Sequence, residues 1–143
     1  MSTFAGAAEH YRRYRPGIPK DVAQILDTAV PQRQPRRLLD IGTDPTAQGF
    51  APGSFDAVVS CAAVHNLYDP KDRERAISEI ARVSKPTGHA VIADIRHLNE
   101  YAETFAANGC HHIRRVESHL MSVAIMLITF GAIRAGTLLA RKS

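Results

Sequence analysis

Apolar residues along the chain fall into two spacings. Val22, Ile25, Leu26 and Ala29 recur three and four residues apart, between Pro19 and Pro31, which predicts an amphipathic helix. Ile77, Ile80, Ala81 and Ser84 repeat that spacing after Asp69-Pro70. There Asp69 suits the capping position and Pro70 the first turn, and Lys85-Pro86-Thr87-Gly88 closes the helix. Leu98, Tyr101, Ala102 and Phe105 mark a further helix, stopped by Asn108-Gly109 as a left-handed cap. A shorter helix over residues 4–14 ends before Arg15-Pro16-Gly17. Between these lie short, mainly apolar runs at 38–42, 55–63 and 89–95, too short for helices and suited to buried strands. Residues 110–116 and 136–141 read as two more strands, and residues 43–54, full of turn formers, as loop.

Strands alternating with helices predict an α/β, Rossmann-like fold: a mainly parallel sheet with helices on both faces. The last two strands lack an ordinary crossover helix and are expected to pair antiparallel at one edge. The whole of 1–143 reads as one domain, with lead-in helices over 1–31 and an α/β core over 36–143. In such sheets ligands sit beyond the C-terminal ends of the strands. Those ends are Asp40-Ile41-Gly42, Ser60-Cys61-Ala62 and Asp94-Ile95. Asp94 either faces a substrate or caps the helix that follows. The apolar run 121–133 falls short of the roughly 18 residues that span a bilayer, so it reads as a buried core element, strand or helix.

Composition narrows the function classes. With 45% hydrophobic and 22% charged residues the chain is neither disordered nor collagenous. The 18 Lys and Arg against 14 Asp and Glu give a net +4, but they are scattered in small groups with no tryptophan among them. A specific nucleic-acid partner is therefore not expected, and neither is a membrane. Cys61 and Cys110 cannot frame a disulfide scaffold and read as small buried apolar residues. No basic N-terminus leads into an apolar run, so a cytoplasmic location is expected. No metal site is expected: adjacent His111 and His112 in a strand point to opposite faces, and His119 has no acid at ligand spacing. Ser60 and His65 show neither an orienting carboxylate nor a nucleophile elbow, which leaves hydrolase chemistry unsupported.

Four stretches, in order, carry a resemblance: AAEHYRRYRPGIP near the N-terminus, LLDIG at 38–42, PGSFDAVVSCAAVHNLYDP at 52–70 and EIARVSKPTGHAVIADI at 79–95. Together they resemble the class I S-adenosylmethionine-dependent methyltransferases of the type 11 or 25 kind. The resemblance implies a seven-stranded Rossmann-like fold, S-adenosylmethionine as cosubstrate and methyl transfer to a small-molecule acceptor. It implies that Asp40 bonds toward the amino-acid end of the cofactor and that Gly42 lets the backbone approach it. Ser60, Cys61, Ala62 and His65 match the positions lining the methyl-transfer site, and His65 is the candidate base. A second role for His65, packing or capping its loop, is equally open.

The chain departs from that pattern in one place. Only residues 43–54 separate Gly42 from the next strand, whereas a βαβ unit takes about 30 residues. Roughly two strands and two helices are absent, so the fold is expected to be truncated. The acid that grips the ribose has no native place; Asp44, in GTDPTA, is the candidate for it or else a turn-forming Asp-Pro. The truncation also bares a sheet edge, and a homo-oligomer that pairs such edges would be the physical remedy. Two readings follow: a methyltransferase, or a non-catalytic relative kept as a binding or dimerisation module. A dehydrogenase-like reading is weak because no G-x-G-x-x-G follows a strand.

Overall fold

In a computed structural model of the chain, residues 20–29, 37–41, 49–116 and 136–143 are described. The predicted helix over 4–14, Gly42, Asp44, His119 and the apolar run 121–133 lie outside them. The described residues form helices α1 (Lys20–Ala29), α2 (Pro70–Val83) and α3 (Leu98–Ala107), and a single 3-10 turn, Val64–Asn66. They also form strands β1 (Leu38–Ile41), β2 (Phe55–Cys61), β3 (Ser84–Asp94), β4 (Cys110–Val116) and β5 (Gly136–Lys142). The five strands make one sheet in the order β1-β2-β3-β5-β4. β1, β2 and β3 run parallel, while β5 lies antiparallel to both β3 and β4. This is the expected α/β sheet with its antiparallel edge, and it holds five strands where the resemblance implies seven.

The middles of the central strands, Ala57–Val59 and Ala90–Ile92, are apolar because both of their faces are covered. Val58 and Ile92 point to one face, where Ile77, Ile80 and Ala81 of α2 and Tyr101 and Phe105 of α3 pack. Val59, Val91 and Leu139 point to the other and meet Val22 of α1. Ile77 and Ile80 are fully enclosed, each worth about 1.5–3 kcal/mol in apolar burial. Asp69 caps α2 as expected, accepting a 2.9 Å bond from the Lys71 backbone N–H. At the end of α3, Gly109 takes a left-handed φ of +75°.

Two boundaries differ from the sequence reading. β2 stops at Cys61 rather than running to residue 63, because Ala62 turns to φ +51°. β3 begins at Ser84, the residue expected to close the helix face, ahead of the expected Lys85–Gly88 turn. Ser84 pairs with Phe55, and the register then resumes at His89 opposite Ala57, so residues 85–88 loop out of the ladder. Three features hold that loop. The Ser84 hydroxyl donates to the Ile80 carbonyl at 2.8 Å, and the Lys85 ammonium meets both oxygens of Asp56 at 3.0 and 2.9 Å. At Gly88 a Cβ would come within 2.8 Å of the Lys85 carbonyl, so only glycine fits. Thr87 has φ +65°, a costly conformation for a branched residue.

β4 is an edge strand with a bulge between His111 and Arg114, where His112 takes φ +51°. The bulge breaks strict alternation, so His111 and His112 are both exposed rather than one facing inward. Arg114 and Arg115 are exposed beside them. Among the described residues no helix is long and apolar enough to cross a membrane.

Two outcomes are expected from the β3 loop. Thr87→Gly should raise the unfolding free energy by about 0.5–1 kcal/mol in urea melts, left-handed strain outweighing the added chain entropy; an unchanged or lower midpoint would show there is no strain to relieve. The Arg37 backbone N–H, first, and the Lys85 ammonium, second, hold the Asp56 carboxyl below its ordinary 3.8. A carboxyl more acidic when folded contributes stability that is complete above that ordinary value and is lost as pH falls through the lowered one. Asp56→Asn should therefore lower stability near neutral pH and flatten the acid limb of the stability curve; parallel curves for the two proteins would contradict this.

Candidate active site

The C-terminal ends of the three parallel strands come together at one rim of the sheet. Asp40 is exposed near the end of β1, level with Val59. Ser60 is completely buried, level with Ile41 and Ile92, and its hydroxyl has no hydrogen-bond partner among the described residues. Cys61 is half-buried and packs beside the cluster around Val59 and Val91. Ala62 is exposed and donates its N–H to the Ala93 carbonyl at 2.8 Å, joining the tips of β2 and β3. Cys110 lies away from this rim, buried in the core, where burial pushes its thiol pKa up.

Beyond Ala62 the chain makes the short turn Val64–Asn66, pinned by Val64, which is wholly enclosed. That anchoring sets His65 over the end of β3. There the Asp94 side chain is 0% exposed and the His65 side chain 18%. His65 Nδ1 bonds to Asp94 Oδ1. The His65 backbone N–H donates to Oδ2 at 3.0 Å, the Ile95 N–H to Oδ1 at 2.8 Å, and the Tyr101 hydroxyl to Oδ2 at 3.4 Å. A carboxylate only accepts, so the hydrogen between the two side chains belongs to Nδ1 and the lone pair of the ring to Nε2. The arrangement presents a fixed, partly exposed imidazole backed by a buried carboxylate.

These contacts correct two expectations. His65 does have an orienting carboxylate, and Asp94 neither caps α3 nor faces outward. The N-cap of α3 is His97, at φ +63° and without a side-chain capping bond. The partner was missed because it stands 29 positions away, and a search confined to neighbours of His65 cannot see it. Part of the signal is local: Asp94 ends one expected strand and His65 follows the end of another. Ser60 makes no bond to His65, so no serine nucleophile is formed. Gly42 and Asp44 lie outside the described residues, and no group of three or more metal-ligating side chains occurs among those described.

Tyr101 completes the buried side of the pair. Burial, chiefly, and the neighbouring Asp94 charge push its phenol pKa far up, which keeps it a donor. A second set of bonds ties the same loop to α3. Arg73, 5% exposed, donates from Nη1 to the Leu67 and Tyr68 carbonyls at 2.7 and 2.9 Å. Its Nε and Nη2 reach the two oxygens of Glu100 at 3.0 and 3.1 Å.

Residues 20–92 match the family model described as a methyltransferase domain. A demethylmenaquinone methyltransferase of Renibacterium salmoninarum is 42% identical over 57 residues, which is 40% of this chain and 23% of that protein. A highly reducing polyketide synthase of Calcarisporium arbuscula is 33% identical over 87 residues, 59% of this chain. The chain spans only 3% of that synthase's length. Among solved structures, Haemonchus contortus phosphoethanolamine N-methyltransferase 2, in complex with S-adenosyl-L-methionine, superposes with a TM-score of 0.63 at 15% identity. That match covers 89% of this chain and 53% of the other, and it shows a common fold.

The state of Tyr101 is open to direct measurement. In alkaline titration Tyr101 of the native protein should stay un-ionised until it unfolds, and Tyr101→Phe should remove one late-ionising group. A native titration in which every tyrosine ionises together would refute the assignment.

Proposed function

The chain belongs to the methyltransferase-domain family, and from that membership we propose that it transfers the methyl group of S-adenosylmethionine to a small-molecule acceptor whose attacking atom first gives up a proton to His65. The observation that carries this reading is the pairing of His65 with the fully buried Asp94 at the strand tips. A loop-packing histidine needs no such carboxylate, whereas a base gains from one: it holds the ring and balances the imidazolium formed when the proton arrives.

The residues present fit the cosubstrate. Asp40 offers an exposed acid toward a cationic amino group. Ser60 offers a buried hydroxyl with hydrogen-bonding capacity to spare, and the left-handed Ala62 turns its backbone at the rim with only a methyl in the way. When bound, S-adenosylmethionine supplies a methyl group on a sulfonium that departs readily. What is left to the protein is alignment of the attacking atom and disposal of its proton. His65 Nε2 receives that proton, Asp94 keeps the ring in the required tautomer, and Tyr101 holds Asp94 from behind.

Calorimetry with S-adenosylhomocysteine and transfer of a labelled methyl group to a panel of phenols, amines and carbon acids test the reading together. His65→Gln should bind S-adenosylhomocysteine as the parent protein does and lose transfer by about 10²–10⁴-fold. Asp94→Asn should lose transfer as well. Asp40→Ala should lose binding. Absence of any heat with the parent protein would end the cosubstrate assignment, and a His65→Gln protein as fast as the parent would end the base assignment.

A further inference from the structure

We infer that Arg73 is a positioning residue for His65: by bonding the loop just after the histidine to Glu100 of α3, it holds the imidazole against Asp94. The inference rests on the proposed role of His65 and deepens it.

The geometry is specific. His65 sits in a stretch, residues 62–69, with no regular structure apart from the turn Val64–Asn66. On the near side the stretch is anchored by Val64 and by the bonds to Asp94. On the far side its last carbonyls before the α2 cap, those of Leu67 and Tyr68, are both gripped by one nitrogen of Arg73. The remaining donors of that guanidinium form a parallel pair of bonds with Glu100. This is the two-pronged geometry that only an arginine supplies to a carboxylate. Glu100 stands next in sequence to Tyr101, whose hydroxyl touches Asp94. Loop, α2 and α3 are thus closed into a ring of bonds in which His65–Asp94 and Arg73–Glu100 are opposite links.

Helix surfaces carry many ion pairs, and α2 provides its own comparison. Arg82 forms an equivalent two-bond pair with Glu79 at 2.9 and 2.8 Å, and its Nη1 donates to the Phe50 carbonyl at 3.0 Å, outside the 62–69 stretch. That pair lies along one helix, with Arg82 34% and Glu79 23% exposed. Arg73 joins two helices and a loop while nearly buried, so its loss frees two carbonyls that nothing else among the described residues holds.

The test reads the imidazole directly and needs no substrate. A ring N–H bonded to a carboxylate gives a proton resonance at unusually low field. In the parent protein such a resonance should appear and be removed by His65→Gln, which assigns it. Arg73→Gln should broaden or abolish it through faster exchange with water, with far-ultraviolet circular dichroism unchanged. Arg73→Lys should restore it in part, and Arg82→Gln should leave it as it was. Should Arg73→Gln not fold, Glu100→Gln removes the same anchor from the exposed side and should shift and broaden the resonance. A folded Arg73→Gln or Glu100→Gln protein with the parent resonance overturns the inference and leaves the His65–Asp94 pair standing. A parent protein without the resonance removes the pair itself, and the positioning role with it.

Discussion

A carboxylate shut away from water loses solvation worth several kcal/mol and persists only where donors replace it. Asp94 is such a group, and its four donors come from three parts of the fold. Two belong to His65 in the loop leaving β2, one to the chain leaving β3, and one to the inner face of α3. Satisfying that single side chain therefore determines how the rim of the sheet is closed. It also explains why two left-handed residues, Ala62 and His97, flank it: the chain bends sharply on either side to bring N–H groups and ring into range. The positive φ at these positions is a cost the enclosed carboxylate makes worthwhile.

How much of this was legible in the sequence depends on the range of the interaction. Periods of 3.6 residues and short apolar runs are local, and they located α1, α2, α3 and all five strands to within a few residues. Asp69 as a cap and Gly109 as a stop are local too, and both stand where the residue types indicated. What failed involved a partner from elsewhere in the chain. β3 starts early because Ser84 finds Phe55, a pairing that the Lys-Pro-Thr-Gly composition disguises as a turn. At His111 and His112 one inserted residue on β4 interrupts the register, which no local pattern announces. The His65–Asp94 pair was hidden for the same reason, although knowing which strands lie side by side is enough to bring the two together.

The sheet order carries meaning beyond architecture. β1 and β2 are neighbours although only residues 42–54 connect them, so the described sheet lacks the units that the resemblance would insert there. The half that remains is the half bearing the histidine, the buried acid and their supports. A family match that ends at residue 92 covers β1, β2, α2 and nearly all of β3, the segment that builds this rim, while β4 and β5 come from sequence beyond it. Chemistry that depends on proton removal and ring orientation needs only the retained side.

The bulged outer strand has a consequence for behaviour in concentrated solution. An uninterrupted, apolar margin would offer its free N–H and C=O groups as a template on which further copies could stack into fibrils. β4 instead has its ladder kinked at His112 and presents Arg114 and Arg115 to solvent. Like charges brought face to face across such a margin repel, and the kink prevents the groups from lining up. Two arginines and one inserted residue thus work against end-on stacking at this margin of the described sheet.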